Sequence, residues 1–168
     1  MLPFPVHVHG SRSAPDPVPL PVVARSAPCA CIRLRRAARA LTQLYDDAMA
    51  PSGLHSTQFS LLRTLQRTGP MRITELAAAQ LVDRTALSRN LDPLAARGLV
   101  AITAGRDART RDVAVTPAGQ AALRAALPHW KRAQAQVARH LGMPELEALM
   151  ATLAEIETLH PATGARSA

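Results

Sequence analysis

The segment DRTALSRN, residues 83–90, carries side-chain types that read DNA bases, at the start of an expected helix. Arginine can make paired hydrogen bonds to guanine, and serine or threonine hydroxyls can donate to or accept from any base edge. The residues selected here as DNA contacts are Arg84, Thr85, Ser88, Arg89 and Asn90. Asp83 is a typical helix cap, and the free N–H groups of a helix start attract phosphate. Taken alone, the segment is equally consistent with an ordinary solvated helix face, since exposed arginines and serines are common.

A second basic feature, the loop AGRDARTRD at 104–112, favours the DNA interpretation. Its basic residues are Arg106, Arg109 and Arg111. Short β-branched runs at 99–103 and 113–116 flank this loop, which predicts a β-hairpin. An arginine-tipped hairpin can insert into a narrow minor groove, where the negative potential is deepest. Two basic features on adjoining elements are harder to explain as incidental exposure than one.

The composition favours an anionic partner and disfavours several other classes of protein. The chain has 168 residues, with 20 basic and 12 acidic side chains and a formal net charge of +8, so double-stranded DNA is an expected partner. Aromatic residues make up only 2%, which disfavours RNA-binding modules that stack bases on aromatic platforms. The sequence has no phosphate-binding glycine-rich loop, no Cys/His/Asp set and no metal-ligand spacing among its histidines. We therefore expect neither an enzyme, nor a metal site, nor a bound cofactor.

The two ends of the chain are expected to lie outside the folded domain. Residues 1–28 hold half of the 14 prolines and are interpreted as a disordered tail, and residues 163–168 as a flexible one. The N-terminus is too short and too proline-broken for a signal-peptide core, and no apolar run is long enough to span a bilayer. Two cysteines do not make a secreted disulfide scaffold, so a cytoplasmic location is expected.

Residues 29–162 are expected to form a mainly α-helical domain with a small β-hairpin wing. Apolar residues recur at three- and four-residue steps in six helices. Thr74, also selected as a DNA contact, is expected to cap the third helix, TELAAAQL. A short helix pair followed by a hairpin is a winged helix-turn-helix arrangement, here with a DNA-binding lobe at about 56–116. The helices at 29–50 and 117–160 have long apolar faces that a second copy would cover, which predicts a homodimer.

The ordered motifs of this domain resemble those of the MarR family of bacterial transcriptional regulators. The segments that carry the resemblance are ITELAAAQLVDRTALSRNLDPLAARGLV and DARTRDVAVTPAG, with a D-x-R wing and a T-x-x-G start to the next helix. The resemblance implies an obligate homodimer that binds a pseudo-palindromic operator, usually as a repressor. One departure is Gln80-Leu81, in the turn between the third and fourth helices, where the family more usually has an apolar residue and then a small one.

An oxidant is one candidate for the signal that would release such a repressor. Cys31, with Cys29 beside it, lies among arginines that favour the thiolate, the species that peroxides oxidise. Cys31 also matches the reactive cysteine of the peroxide-sensing OhrR branch of the family. That branch supports its cysteine with tyrosines, whereas Tyr45 is the only one here and would lie about 21 Å away along one helix, so that only a partner subunit would bring it close. Both cysteines are also explained as inert residues at a helix entrance.

A small phenolic or other aromatic anion is the other candidate signal, which the family resemblance implies. The residues selected for it are His55, Arg63 and Trp130.

The main alternative function is that of a nonspecific architectural DNA-binding protein. Such a protein would share the charge and the salt sensitivity, but would hardly distinguish its own promoter from random DNA. A membrane-surface protein fits less well, because the basic residues are spread over the wing and helix starts rather than along one amphipathic face.

Overall fold

The computed structural model describes residues 29–105 and 110–160, which form six α-helices and a small antiparallel sheet, as the sequence predicted. The elements in chain order are α1 (Ala30–Met49), α2 (Ser56–Thr68), β1 (Met71–Arg72), α3 (Ile73–Ala79), α4 (Arg84–Ala96), β2 (Val100–Ala104), β3 (Arg111–Val115), α5 (Pro117–Leu141) and α6 (Met143–Glu157). A 3-10 turn, Ala50–Ser52, follows α1. The predicted tails, 1–28 and 163–168, lie outside the described residues, as do Arg106 and Arg109.

The sheet joins the wing to the segment that precedes α3. Its strand order is β1-β3-β2. β2 and β3 are the predicted hairpin, with Val100 opposite Val115 and Ile102 opposite Val113. β1 pairs with the free edge of β3 and places Met71 opposite Val113. The start of α3 is therefore held beside the base of the wing.

Leucines on one face anchor α4, the expected reading helix. Leu87, Leu91 and Leu94 follow helical spacing and are each no more than 1% exposed. The other large side chains that are fully buried in the same core are Met49, Leu62, Leu65, Leu76 and Val113. Burial of this face leaves the opposite face of α4 to solvent or to a bound partner.

Side-chain caps define the starts of α4 and α5. The Asp83 carboxylate accepts a hydrogen bond from the Ala86 N–H at 2.8 Å, which confirms the predicted cap. Thr116 Oγ1 accepts one from the Gly119 N–H at 3.0 Å. Gly119 is also the point where α5 crosses the Leu99 backbone, since an added Cβ would lie 2.0 Å from the Leu99 carbonyl oxygen. The T-x-x-G motif thus combines a cap with a close approach of two backbones.

The predicted cap of α3 is wrong. The helix begins at Ile73, with Arg72 in the capping position, and Thr74 lies exposed in the first turn. The Glu75 carboxylate reaches back to accept a hydrogen bond from the Arg72 N–H at 3.0 Å. A glutamate in this position satisfies a free backbone donor ahead of the helix, so the helix starts earlier than a Thr74 cap would allow.

Apolar side chains remain exposed on both terminal helices. The exposed fraction is 60% for Ile32 and 38% for Leu41 on α1, and 57% for Met150 and 37% for Ile156 on α6. α1 and α6 each pack against α5, yet more than a third of each of these residues stays open to solvent in the described part of the chain. None of the described helices combines the length and the apolar character needed to cross a membrane.

Candidate nucleic-acid interface

The first turns of α4 present basic and hydroxyl side chains outward. Arg84, Thr85 and Arg89 are exposed and Ser88 is half-buried. In the described part of the chain, neither Arg84 nor Arg89 has a hydrogen bond or an ion pair. Their guanidinium groups are therefore available to an external acceptor, beside the N-terminus of a helix whose free N–H groups favour anions.

A small cleft brings arginines from three elements to the same edge of α4. It has a volume of about 60 Å³ and lies between the start of α3, the start of α4 and the base of the wing. The residues that line it are Arg72, Ile73, Thr74, Arg84, Thr110 and Arg111. Three of the predicted contacts, Thr74, Arg84 and Arg111, thus meet around one concave surface. Three arginines and two threonines around a cleft are well suited to bind a phosphate group.

Arg72 belongs to this site but was not selected from the sequence. It lies in β1, a strand of two residues that was not identified from the sequence. Pairing of Arg72 with Asp112 in β3 brings it next to the wing. The sequence signal that could have identified Arg72 is its place as a basic residue directly before the helix pair. The proximity of Arg72 to Arg111 could not be predicted, because it depends on a strand pairing between distant segments.

Asn90 lies on a different side of α4 from the exposed arginines. Its Oδ1 accepts a hydrogen bond from Thr57 Oγ1 of α2 at 3.1 Å, and its Nδ2 donates to the Ala86 carbonyl at 3.0 Å. Both ends of the amide are therefore used within the protein. The structure does not place Asn90 with the other selected contacts.

The structure describes the two strands of the wing and the loop residues Gly105 and Thr110 next to them. The Gly105 N–H donates to the Thr110 carbonyl at 2.9 Å, and Arg111 is exposed at the first position of β3. Arg106 and Arg109 lie outside the described residues, so their contact with DNA stays a prediction.

The unusual Gln80-Leu81 turn has an unusual backbone. Leu81 has φ of 51°, in the left-handed region, and is the one residue other than glycine with positive φ in the described ranges. The Leu81 N–H donates to the Ala78 carbonyl at 3.2 Å and the Val82 N–H to the Ala77 carbonyl at 3.1 Å, which terminates α3. A branched side chain costs about 1 kcal/mol or more in this conformation, so surrounding contacts must hold the turn.

Two of the three effector candidates lie together between α2 and α5. The Arg63 guanidinium carbon is 4.7 Å from the centre of the Trp130 ring, and that ring stacks on Phe59 with 5.9 Å between centroids. A cleft of about 290 Å³ adjoins this cluster. The residues that line the cleft are Phe59, Arg63, Gln66, Arg67, Leu123, Arg124 and Leu127. Arg63 Nη1 is buried and has no hydrogen-bond partner among the described residues.

His55, the third effector candidate, lies elsewhere, where α1 meets α2. Its Nδ1 is 3.4 Å from Asp46 Oδ2, and Asp46 Oδ1 accepts a hydrogen bond from the Ser56 N–H at 2.6 Å. Partial burial by itself raises the pKa of Asp46, but hydrogen bonds from Ser56 and His55 and the charge of His55 outweigh it, so the pKa lies below its ordinary value of 3.8. Across the described residues, no three Asp, Glu, His or Cys side chains lie close enough together to hold a metal ion.

Both cysteines are exposed at the entrance to α1. Cys31 is in the first turn of the helix, and Cys29 precedes it in a non-helical conformation. Tyr45 is half-buried near the other end of α1, where its hydroxyl donates to Gln134 of α5 and burial raises its pKa. Tyr45 is therefore engaged within its own chain, remote from Cys31 along the helix.

Comparisons with known proteins agree with this geometry. The sequence model of the MarR family matches residues 52–110, which span α2, α3, α4 and the first part of the wing. None of the curated protein sequences gives a significant match.

Several solved structures have the same fold. The transcriptional regulator MosR of Mycobacterium tuberculosis, solved in complex with DNA, is 42% identical; the match covers 79% of this chain and 98% of that one, with a TM-score of 0.69. A second structure of M. tuberculosis MosR gives 39% identity, coverage of 79% and 97%, and a TM-score of 0.68. A probable transcriptional regulator from Pseudomonas aeruginosa is 29% identical over 76% of this chain and 96% of its own, with a TM-score of 0.69.

Proposed function

This chain belongs to the MarR family of transcriptional regulators, and we propose that it is a homodimeric repressor that binds a pseudo-palindromic operator and dissociates from it in response to a chemical signal. The observation that carries the proposal is the meeting of Arg72, Arg84 and Arg111 around one cleft, beside the exposed polar start of α4. In a winged helix, α4 enters the major groove and the wing reaches the adjacent minor groove.

Individual side chains take different roles in this proposal. Arg89, Thr85 and Ser88 face the major groove and contact base edges, because they lie in the first two turns of α4 away from its buried leucines. The arginine-lined cleft, with Thr74, holds a phosphate and sets the register of the helix on the duplex. Arg106 and Arg109 of the wing contact the adjacent minor groove.

Selection of DNA by the protein itself tests the function. Duplexes enriched from a random pool by the purified protein are compared with shuffled duplexes of the same composition, in competition at physiological salt. Specific regulators typically prefer their sites by about 10³-fold or more. An architectural protein, the alternative function, would enrich no common sequence and would bind both duplexes equally.

Exposed apolar surface on the terminal helices supports a homodimer. A two-fold dimer through α1 and α6 would bury side chains such as Ile32 and Met150, which are more than half exposed in the described part of one chain. Met150→Glu is expected to give monomers in analytical ultracentrifugation, because it places a charge in the interface. Gln66→Glu adds the same charge on an exposed position of α2 and is expected to leave the dimer intact. A dimer that tolerates Met150→Glu would refute the assignment of α6.

An aromatic carboxylate is the signal that the cleft beside Arg63 fits best. Arg63 has a buried nitrogen that lacks a hydrogen-bond partner among the described residues, and Phe59, Leu123 and Leu127 supply apolar lining to the cleft. A carboxylate would satisfy that donor while its ring packs on the apolar lining, and a cleft between α2 and α5 is placed to couple the ligand to the DNA-binding lobe.

Intrinsic fluorescence measures this binding directly, because Trp130 is the only tryptophan of the chain. Benzoate is expected to change the emission of the wild type and to act only weakly on Arg63→Met, whereas Arg72→Met, outside the cleft, is expected to respond like wild type. An equal response of the wild type and Arg63→Met to benzoate, or no response of either, would remove Arg63 from the proposal.

Oxidation of Cys31 is the second candidate signal, and the exposure of both thiols supports it. Treatment with an organic hydroperoxide is then expected to lower operator affinity in the wild type but not in Cys31→Ser. Unchanged affinity in the wild type would leave both cysteines as inert surface residues, and the same loss in Cys31→Ser would exclude Cys31 as the sensor.

A further inference from the structure

Three hydroxyl side chains form a stripe along α2 that faces the DNA-reading part of the molecule. Thr57, Ser60 and Thr64 are spaced three and four residues apart, so they lie on one face of the helix. Each of them is hydrogen-bonded to a side-chain amide that comes either from α4 or from the turn before it. We call these three residues the hydroxyl stripe.

Asn90 connects the stripe to the middle of α4. Thr57 Oγ1 donates to Asn90 Oδ1 at 3.1 Å. The other end of the amide donates to the Ala86 carbonyl, one turn earlier in α4, at 3.0 Å. Because the bond to Ala86 orients the amide, its oxygen is held toward α2 and away from the exposed face that carries Arg89.

Gln80 connects the stripe to the turn that precedes α4. Its Oε1 accepts a hydrogen bond from Ser60 Oγ at 3.3 Å, and its Nε2 donates to Thr64 Oγ1 at 3.0 Å. The next residue, Leu81, has the left-handed backbone described above. Two hydrogen bonds to α2 therefore fix the position of Gln80, which lies next to the left-handed Leu81. The position of Gln80 in turn affects where the chain enters α4.

A cleft of about 290 Å³ separates the two connections. Its lining includes Thr57, Ser60, Gln80, Val82, Leu87 and Asn90. Close apolar packing between α2 and the start of α4 is therefore incomplete here, and polar contacts at either side of the cleft take its place. Hydrogen bonds of this kind add a directional constraint on the angle between the two helices to the constraint that the packed leucines already supply.

We propose that Gln80 and Asn90 are positioning residues for DNA recognition, which act by holding α4 at a set angle to α2 through the hydroxyl stripe. The inference rests on the proposed function of α4 as the reading helix. In this role Asn90 acts through Thr57 and does not contact a base. Gln80, which departs from the usual family pattern, supplies the second connection to α2.

Substitution of Thr57 tests the connection without altering any predicted DNA contact. Thr57→Val keeps the shape of the side chain but removes the hydroxyl, and Thr57→Ser keeps the hydroxyl. Thr57→Val is expected to reduce the preference for the selected duplex over its shuffled counterpart by about two- to tenfold, the range that one net hydrogen bond accounts for. Thr57→Ser is expected to retain the preference, and the midpoint of urea unfolding should fall only slightly in Thr57→Val and stay at the wild-type value in Thr57→Ser, since Thr57 is exposed.

A double-mutant cycle with Asn90→Ala separates positioning from direct contact. If Asn90 acts through Thr57, Asn90→Ala lowers the preference in the wild-type background but adds little to Thr57→Val. Multiplicative losses would mean that Asn90 touches DNA itself, and would overturn the proposal. Gln80→Met provides an independent variant, with the same loss of preference expected.

Failure of this inference is distinct from failure of the proposed function. A wild-type protein that prefers its selected duplex, together with a Thr57→Val variant that keeps the full preference, would refute the positioning role alone. A wild-type protein without any preference would refute the proposed function and, with it, this inference.

Discussion

Replacement of Arg89 by alanine isolates the base-reading part of the proposed interface. Arg89 is exposed and makes no hydrogen bond or ion pair with another described residue, so the change removes no folding contact. The free energy of unfolding should stay within about 0.5 kcal/mol of wild type. Any large loss of DNA binding is then a property of the interface.

The expected loss follows from the chemistry of one paired contact. An arginine that bonds to guanine contributes about 1–3 kcal/mol of discrimination, so each half-site should bind about 5- to 150-fold more weakly. The loss should be concentrated at one base pair, because a base contact carries sequence information. Arg84→Ala, in the arginine-lined cleft, should instead weaken binding to all sequences and reduce the magnitude of the slope of log K against log salt by about one unit for each half-site.

Fluorescence anisotropy with a panel of duplexes, each altered at one base pair of the selected site, provides the measurement. Arg139→Ala is the matched control, since it removes the same charge from an exposed position near the end of α5. Equal weakening of Arg89→Ala across the whole panel would make Arg89 a phosphate contact. If Arg89→Ala binds DNA as tightly as Arg139→Ala does, the start of α4 is not the base-reading element, and the assignment of α4 to the interface is refuted.

Three further predictions concern the framework that supports the interface. Asp46→Ala should lower the free energy of unfolding by about 0.5–2 kcal/mol near neutral pH, because the Ser56 N–H at the start of α2 loses its acceptor. Since the pKa of Asp46 is depressed in the folded state, this difference should be complete above the ordinary value of 3.8 and vanish as pH falls through the folded pKa, in chemical denaturation across acid pH. Gly119→Ala should cost about 1–3 kcal/mol by the same measurement, since the new methyl would meet the Leu99 carbonyl; stability equal to wild type would show that the backbones can separate. Leu94→Ala should cost about 2–5 kcal/mol, because Leu94 is fully buried, and a loss below 1 kcal/mol would contradict the packed core behind α4.

The fold was predictable because its elements have local signals. Leucines at helical spacing predicted the buried face of α4, Asp83 its start, and two β-branched runs the hairpin, all of which the structure confirms. The start of α3 was predicted wrongly. Thr74 is a typical helix cap, but the Glu75 carboxylate accepts a hydrogen bond from the Arg72 N–H, and the helix begins at Ile73.

The candidate site was predictable only in part. Arg84, Thr85 and Arg89 are exposed on the face expected from periodicity alone. Asn90 is adjacent in sequence to Arg89 but points to a hydroxyl on α2, and Arg72 meets Arg84 only because β1 pairs with β3. The sequence close to Asn90 or to Arg72 contains no signal for either contact.

The sequence by itself determined the order of the helices, the cap at Asp83, the T-x-x-G start of α5, and which face of α4 would be buried. These properties depend on the spacing of apolar residues and on hydrogen bonds between near neighbours, which local sequence contains. The tertiary structure alone decided that Gln80 and Asn90 bind the hydroxyl stripe of α2 and that three arginines surround one cleft. Those contacts join segments that packing of the whole core brings together, so their partners cannot be identified before the helices and strands are placed in space.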